Sequence, residues 1–388
     1  MKIRLPLSSG TVDHEMNLAG PLPITPMAPS RTRKVFAAAH VVMDPHSANQ
    51  PRPNLDMEAT LAFRRHLWSL GLGVAEAMDT AQRGMGLDWE LARELIRQSA
   101  SEAKATDAAI ACGANTDQIA PEAAPSLDEV LAAYEVQCAF IEQCGSQVIL
   151  MASRALARCA TCPDDYRFIY GRLLSQLKQP AILHWLGEAF DPELKGYWGA
   201  EDASENMEAV LALIAANRHK VDGIKISLLD ARREIEMRRR LPEGVRMYTG
   251  DDFHYPKLIR GDGHHFSHAL LGIFDAIAPV ASRALHALDA GDLTAYAKLM
   301  SPTVLLSRHI FQAPTYHYKA GLVFLAWLNG HQSQFKMLGG LEDARSVAHL
   351  SELFILADRA RLLSDPELAI QRMQGFLSRN SGSGGAAL

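Results

Sequence analysis

Lys225 lies in the middle of VDGIKISLLD, residues 221–230, an apolar and β-branched stretch with a single cation inside it. An ammonium buried in a strand is costly unless it is paired or neutral. A lysine kept dry gives up its proton more readily and becomes an amine nucleophile toward carbonyl carbon. The iminium that follows draws electrons from the adjacent carbon and permits carbon–carbon cleavage or formation. The competing reading is a snorkelling side chain, with its stem buried and its charge in water.

Other chemically able residues fall at the ends of similar apolar runs. Glu76, Asp79 and Thr80 close "GVAEAMDT", and Asn115 and Thr116 follow "DAAIACGAN". Arg154 follows Ser153 after "SQVILMAS", His184 sits in "PAILHW", and Asp251 and Asp252 close "VRMYTGDD". An imidazole titrates near neutrality, so His184 is a candidate general acid and base. The planar donor fork of Arg154 suits an anionic or hydroxyl-rich substrate group, and a surface salt bridge is its alternative. In "HHFSH", period two puts His264 and His268 on one strand face and His265 on the other, which makes the first two candidates for substrate hydroxyls. His40 is either a further pocket group or a satisfied core residue. Carboxylates and imidazoles converging on one mouth could instead hold a divalent metal. Glu76, His184 and Asp251 are the ligand set for that second reading, in which Lys225 is only a charge partner.

Residues that far apart in sequence need a scaffold that brings them together. Eight apolar runs begin near Val35, Gly73, Asp107, Ser146, Pro180, Val221, Val245 and His264. Their continuous apolar character suits parallel strands covered on both faces. Amphipathic segments separate them, such as "SLDEVLAAYEVQCAFIEQCG", where Ser126 and Glu129 have capping-box spacing and Gly145 marks the end. Eight strand–helix units predict a (β/α)8 TIM barrel with its site at the C-terminal strand ends; a doubly wound sheet is the alternative. The expected divisions are a Pro- and Ser-rich N-terminal arm (1–33), the barrel (34–280), a C-terminal helical segment (281–380) and a flexible tail (381–388).

The chain has 388 residues, nearly half of them hydrophobic, and a net charge of -5. That length can build a large core without disulfide or metal, and slight acidity gives no electrostatic reason to expect nucleic acid. No apolar run approaches a membrane span, and the first residues lack the apolar core of a secretory leader. The five cysteines, an odd number, fit a reducing cytoplasm. Cys159 and Cys162 form one CxxC without the second pair a structural zinc site needs. The run "RREIEMRRR" alternates in sign on a predicted helix and reads as a solvated face.

"VDGIKISLLD" followed by "VRMYTGDDFHYPKLIRGDGHHFSH" resembles strands six to eight of the dihydrodipicolinate synthase and N-acetylneuraminate lyase superfamily, as a divergent, DUF993-like branch. "ACGANTD" resembles its third-strand glycine turn, and "LDAGDLTAYAKLMSPTVLLSR" its C-terminal helices. The resemblance spans roughly residues 34 to 330 of this barrel class. It implies that Lys225 is the Schiff-base lysine, that no cofactor is required, and that the chain forms a homodimer or homotetramer. Two departures stand out. The family's second-strand turn carries two threonines, a glycine and a glutamate that hold a substrate carboxylate; here "AMDTAQRG" keeps Thr80 and introduces Asp79 and Gln82. An aspartate there repels a carboxylate, which argues against a simple pyruvate donor. The family's fifth strand ends in a proton-shuttling tyrosine, whose place His184 takes. The expectation is a lyase or aldolase acting on a small carbonyl compound, a keto-sugar or 2-oxo acid derivative. A metal-dependent sugar isomerase or aldolase and a non-catalytic carbohydrate-binding barrel are the alternatives.

Overall fold

The computed structural model describes residues 1–47, 50 and 53–380; the expected flexible tail lies outside them. An antiparallel hairpin opens the chain, β1 (Lys2–Leu7) paired with β2 (Gly10–Glu15). It packs on the C-terminal helices, where Asp358 accepts from His14 at 2.8 Å and from the Asn17 backbone N–H at 2.9 Å. Eight parallel strands follow: β3 (Val35–Ala38), β4 (Gly73–Glu76), β5 (Ile110–Ala114), β6 (Gln147–Leu150), β7 (Ala181–Leu186), β8 (Val221–Ser227), β9 (Arg246–Thr249) and β10 (His268–Leu271). They close in sequence order, with β10 pairing back to β3. The TIM barrel read from the sequence is therefore the fold, and the open sheet is excluded.

Helices α1 (Met57–Ser69), α2 (Trp89–Thr106), α3 (Leu127–Gln143), α4 (Arg154–Cys159), α5 (Pro163–Gln176), α6 (Ala203–Ala216), α7 (Ala231–Arg240), α8 (Tyr255–Arg260) and α9 (Ile273–Asp289) surround it. The side chains of Asp56, Asp88, Ser126, Asp202 and Asp230 accept from first-turn amides, and Ser126 with Glu129 forms the expected capping box. Each such cap fixes where a strand-end loop stops and a helix starts, worth about 1 kcal/mol.

Beyond the barrel lie α10 (Leu293–Ile310), α11 (Tyr318–Leu328), α12 (Val347–Arg359) and α13 (Pro366–Asn380). Every residue of α11 is buried, packed among α9, α10, α12 and α13. The apolar stretch "AGLVFLAWLNG" is thus covered by its own chain, and needs no second subunit. A helix that is apolar all round is a buried one.

A buried ion pair braces the barrel behind β4. Arg64 donates to both oxygens of Glu76, at 2.9 and 2.8 Å, with neither side chain exposed. Ser99 Oγ and the Ala77 amide donate to the same carboxylate at 2.7 and 2.8 Å, and Arg64 also reaches the His40 carbonyl. One carboxylate so ties β3, β4, α1 and α2 together. Replacing Glu76 by Leu leaves a guanidinium dry and unpaired, which is expected to cost about 3–5 kcal/mol. The double replacement Arg64→Met with Glu76→Leu should cost less than either single change. Urea unfolding of the three variants checks this, and additive losses would show that the pair is not coupled.

Candidate functional site at the C-terminal mouth

Lys225 occupies β8 in register with His184 on β7 and Tyr248 on β9. It is 4% exposed, and among the described residues its ammonium has no hydrogen bond or ion pair. The backbone crowds its stem: a Cβ on Gly250 would come within 2.8 Å of Lys225 Cε and 2.3 Å of Ser227 Oγ. Glycine follows β9 because a side chain there would collide with Ser227 Oγ and the Ile226 carbonyl as well as the lysine stem.

Asp79 opens a 3-10 turn directly after β4, bracketed by Ala77 and Gln82 at φ 54° and 66°. Two non-glycine residues in the left-handed region store strain of order 1 kcal/mol each. The turn is kept in place by Gln82, which donates to the Leu338 carbonyl at 2.9 Å and accepts from the Leu338 amide at 3.3 Å. Tyr318, the first residue of α11, donates its hydroxyl to Asp79 Oδ2 at 2.9 Å. With that proton committed, Thr80 Oγ donates to Tyr318 at 2.8 Å, a relay running Thr80 to Tyr318 to Asp79. Among the described residues Asp79 Oδ1 and His184 Nδ1 are buried without hydrogen-bond partners, while His184 Nε2 meets Ser227 Oγ at 3.2 Å.

Burial opposes an ionised Asp79, yet Lys225, His184, Lys319 and the Tyr318 hydroxyl outweigh it and bring its pKa down to about 2. Burial first, then the Lys225 charge, pushes His184 down to about 3. His184 is therefore neutral at physiological pH, and its help to Asp79 is confined to strong acid; the lysines and Tyr318 hold the carboxylate ionised. Its imidazole does not titrate near neutrality, as its residue type alone suggested. Lys319, the second residue of α11, is lowered to about 8 by burial, against the pull of Asp79 and Asp191.

A cavity of about 150 Å³ lies beside this group, lined by Asp79, Asn115, Arg154, Leu186, Phe190 and Lys319 among others, with Lys225 and His184 behind its wall. It suits a small molecule. Of the expected substrate-binding residues, Asp79, Asn115 and Arg154 line it, while Thr80 stands behind Asp79, bonded to Tyr318. Asn115 accepts from the Thr116 amide at 2.8 Å, and Arg154 is paired with Asp191 at 2.7 Å and Glu193 at 2.9 Å.

Other expected residues go elsewhere. Strand β10 starts four residues later than His264, so His264 lies exposed in the loop before it, on the opposite face of the barrel. His268 opens β10 at that same end, where its Nδ1 accepts from the Lys34 amide at 2.8 Å. Neither reaches the mouth, because an inward-facing residue at a strand's start points to the barrel floor. Asp251 accepts from the Phe253 and His254 amides at 2.8 and 2.9 Å and from the His254 ring at 2.9 Å, shaping the loop into α8. Asp252 accepts from the Ile273 amide at 2.9 Å, close enough to Lys225 to feel its charge. His40 is a satisfied core residue at Nδ1, bonded to Asp275 at 2.7 Å. The proposed ligand trio is not assembled: Glu76 points away to Arg64, and Asp251 is spent on its loop. Among the described residues no three His, Cys, Asp or Glu side chains stand together as a metal site, and Cys159 and Cys162 are free thiols.

Tyr318 and Lys319 escaped the sequence reading. Their signal was the run "YKAGLVFLAWL": a helix that apolar must be buried, so the two polar groups opening it need a reason to be there.

The chain matches the family described as Protein of unknown function (DUF993) over residues 3–381. It belongs to that family. Curated proteins return no match. Among solved structures it is similar to dihydrodipicolinate synthase from Aquifex aeolicus, at TM-score 0.64 and 13% identity over 85% of this chain and 99% of that one. Similar too are the synthase from Bacteroides thetaiotaomicron (TM-score 0.62, 15% identity, 84% and 98% covered) and the chloride-inhibited synthase from Acinetobacter baumannii complexed with pyruvate (0.62, 13%, 85% and 99%). Identity this low shows a shared barrel with C-terminal helices. Among the described residues no helix is long and apolar enough to cross a membrane.

Burial, with the Asp251 and Asp79 charges, raises Asp252 to about 8, so its carboxyl is neutral in the folded protein at pH 7. The unfolded chain releases that proton near pH 4, so this group makes stability fall as pH rises from about 4 to about 8. Asp252→Asn should remove that fall, its stability relative to the parent protein growing across the interval and levelling beyond it. Denaturant midpoints measured from pH 4 to 9 check the slope; parallel curves would refute it.

Proposed function

We propose that this DUF993 member is a Schiff-base lyase or aldolase of small carbonyl compounds, keto-sugars or 2-oxo acid derivatives, with Lys225 as the nucleophile. The observation that carries the reading is a lysine 4% exposed and without a hydrogen-bond partner among the described residues, at the mouth where barrel enzymes do chemistry. The fold shared with a synthase solved with pyruvate supports it.

In this reading Lys225 releases its proton to solvent and its amine attacks the carbonyl carbon, with neutral His184 beside it in register on β7. The carbinolamine then takes up a proton, loses water and leaves a cationic iminium. Asp79 lies within electrostatic reach of Lys225 and stabilises that cation. The Thr80–Tyr318–Asp79 relay moves protons to and from the Schiff base, the task the resemblance assigns to a strand-five tyrosine. A covalent amine needs no metal or organic cofactor. We also infer a cytoplasmic homodimer or homotetramer, in line with the resemblance; light scattering that gave a monomer at micromolar concentration would set that part aside.

Borohydride added with a panel of ketoses and 2-oxo acids should fix one substrate mass on the peptide carrying Lys225, and nothing there in Lys225→Met. Tyr318→Phe should still form the adduct while turnover falls by about 10²–10³, the scale of one acid–base group. A panel that labels no lysine would leave the binding-barrel alternative standing.

A further inference from the structure

The cavity wall carries four cations, and three of them have acidic partners. Arg83 is bonded to Asp117 at 2.8 and 2.5 Å, Arg154 to Asp191 and Glu193, and Arg158 to Glu193 at 3.6 Å. Lys319 has none within ion-pair distance among the described residues. Its ammonium, on a residue 3% exposed, meets the Tyr316 carbonyl at 3.2 Å, the Met85 sulfur at 3.4 Å and the face of the Tyr318 ring, 4.6 Å from its centroid. Two neutral acceptors, one of them a weak thioether, and an aromatic face leave a buried cation without a counter-ion in contact, beside the cavity it helps to line. Asp79 and Asp191 attract it from farther off. Asp79 already accepts from Tyr318, and Asp191 from Arg154.

We propose that Lys319 is the anion-binding residue of this cavity, so that the carbonyl substrate carries a carboxylate or a phosphate at the end held away from Lys225. The proposal deepens the lyase reading and rests on it for the reacting carbonyl, though not for the anion. It removes a conflict: an aspartate on the second-strand turn repels an anion beside the iminium, whereas Lys319 accepts one at the cavity wall. The substrate class narrows to oxo acids and phosphorylated ketoses, and neutral sugars become poor ligands.

Two measurements on the full chain test it separately from the Schiff base. The first is thermal unfolding with inorganic phosphate or acetate at constant ionic strength. One of the two should raise the Tm of the parent protein, and its apparent affinity should fall about tenfold or more in Lys319→Met, the loss of a charge-assisted hydrogen bond. A response to phosphate alone marks a phosphorylated substrate, and a response to acetate alone marks an oxo acid. No response in the parent protein overturns the proposal and leaves Lys319 as a counter-ion of Asp79. The second is borohydride labelling of Lys225 by dihydroxyacetone phosphate and 4-oxopentanoate, whose anions lie away from the carbonyl, against neutral dihydroxyacetone. The anionic-to-neutral ratio should fall about tenfold or more in Lys319→Met. If no carbonyl labels Lys225 the lyase reading fails, while the thermal result still decides the anion site. Should Lys319→Met not fold, reductive methylation of the parent protein takes its place. The effective anion should slow modification of Lys319 and not of the exposed Lys104 and Lys298; equal rates would refute the assignment.

Discussion

The hydroxyl that Tyr318 donates to Asp79, at 2.9 Å, joins the C-terminal helices to the barrel where the barrel is least able to bear a charge. A carboxylate stripped of water costs several kcal/mol unless donors and cations replace its hydration. Among the described residues Tyr318 is the one direct side-chain donor to Asp79, and the lysines supply the compensating field. Its position depends on α11 being wholly buried, and that of Asp79 on a strained turn held at both ends. Ala77, at one end, also donates to the Glu76 carboxylate braced by Arg64; at the other end Gln82 grips Leu338.

The barrel shared with dihydrodipicolinate synthases is thus furnished differently. Where the resemblance leads one to look for a tyrosine on the fifth barrel strand stands His184, buried and neutral. A tyrosine hydroxyl arrives instead from a helix more than a hundred residues later in the chain, and a second lysine comes with it. The same barrel can change the sign of charge at each strand end without disturbing its core, because interior packing is set by layers such as Phe36, Ile149, Ile182 and Leu270 below. Fold persists at 13% identity because core layers tolerate volume-conserving exchange, whereas the mouth answers only to its ligand.

The order and closure of the strands were legible because parallel strands buried on both faces are continuous apolar runs, and eight of them admit few other arrangements. Lys225, Asp79, Asn115 and Arg154 were legible for the same reason, lying at or just past the ends of those runs. His264 and His268 were misplaced by a strand start drawn four residues early, since polar histidines before "ALL" carry no periodic mark of where pairing begins. Asp251 and Glu76 were over-read: a carboxylate at a strand end serves a loop amide or an arginine as readily as a ligand. Tyr318 and Lys319 were missed because a contact between the second strand's turn and a late helix leaves no spacing in the sequence. Only the surrounding apolarity of α11 hinted that they were inside.

Tyr318 and Lys319 sit on the packed cap helix, and not on a barrel loop, so their positions are coupled. Any displacement of α11 would draw the Tyr318 hydroxyl off Asp79 and Lys319 off the cavity wall together. Under the proposed chemistry the groups that serve Lys225 are thus held by the cap and not by the barrel that carries it, since they are consecutive residues of one helix.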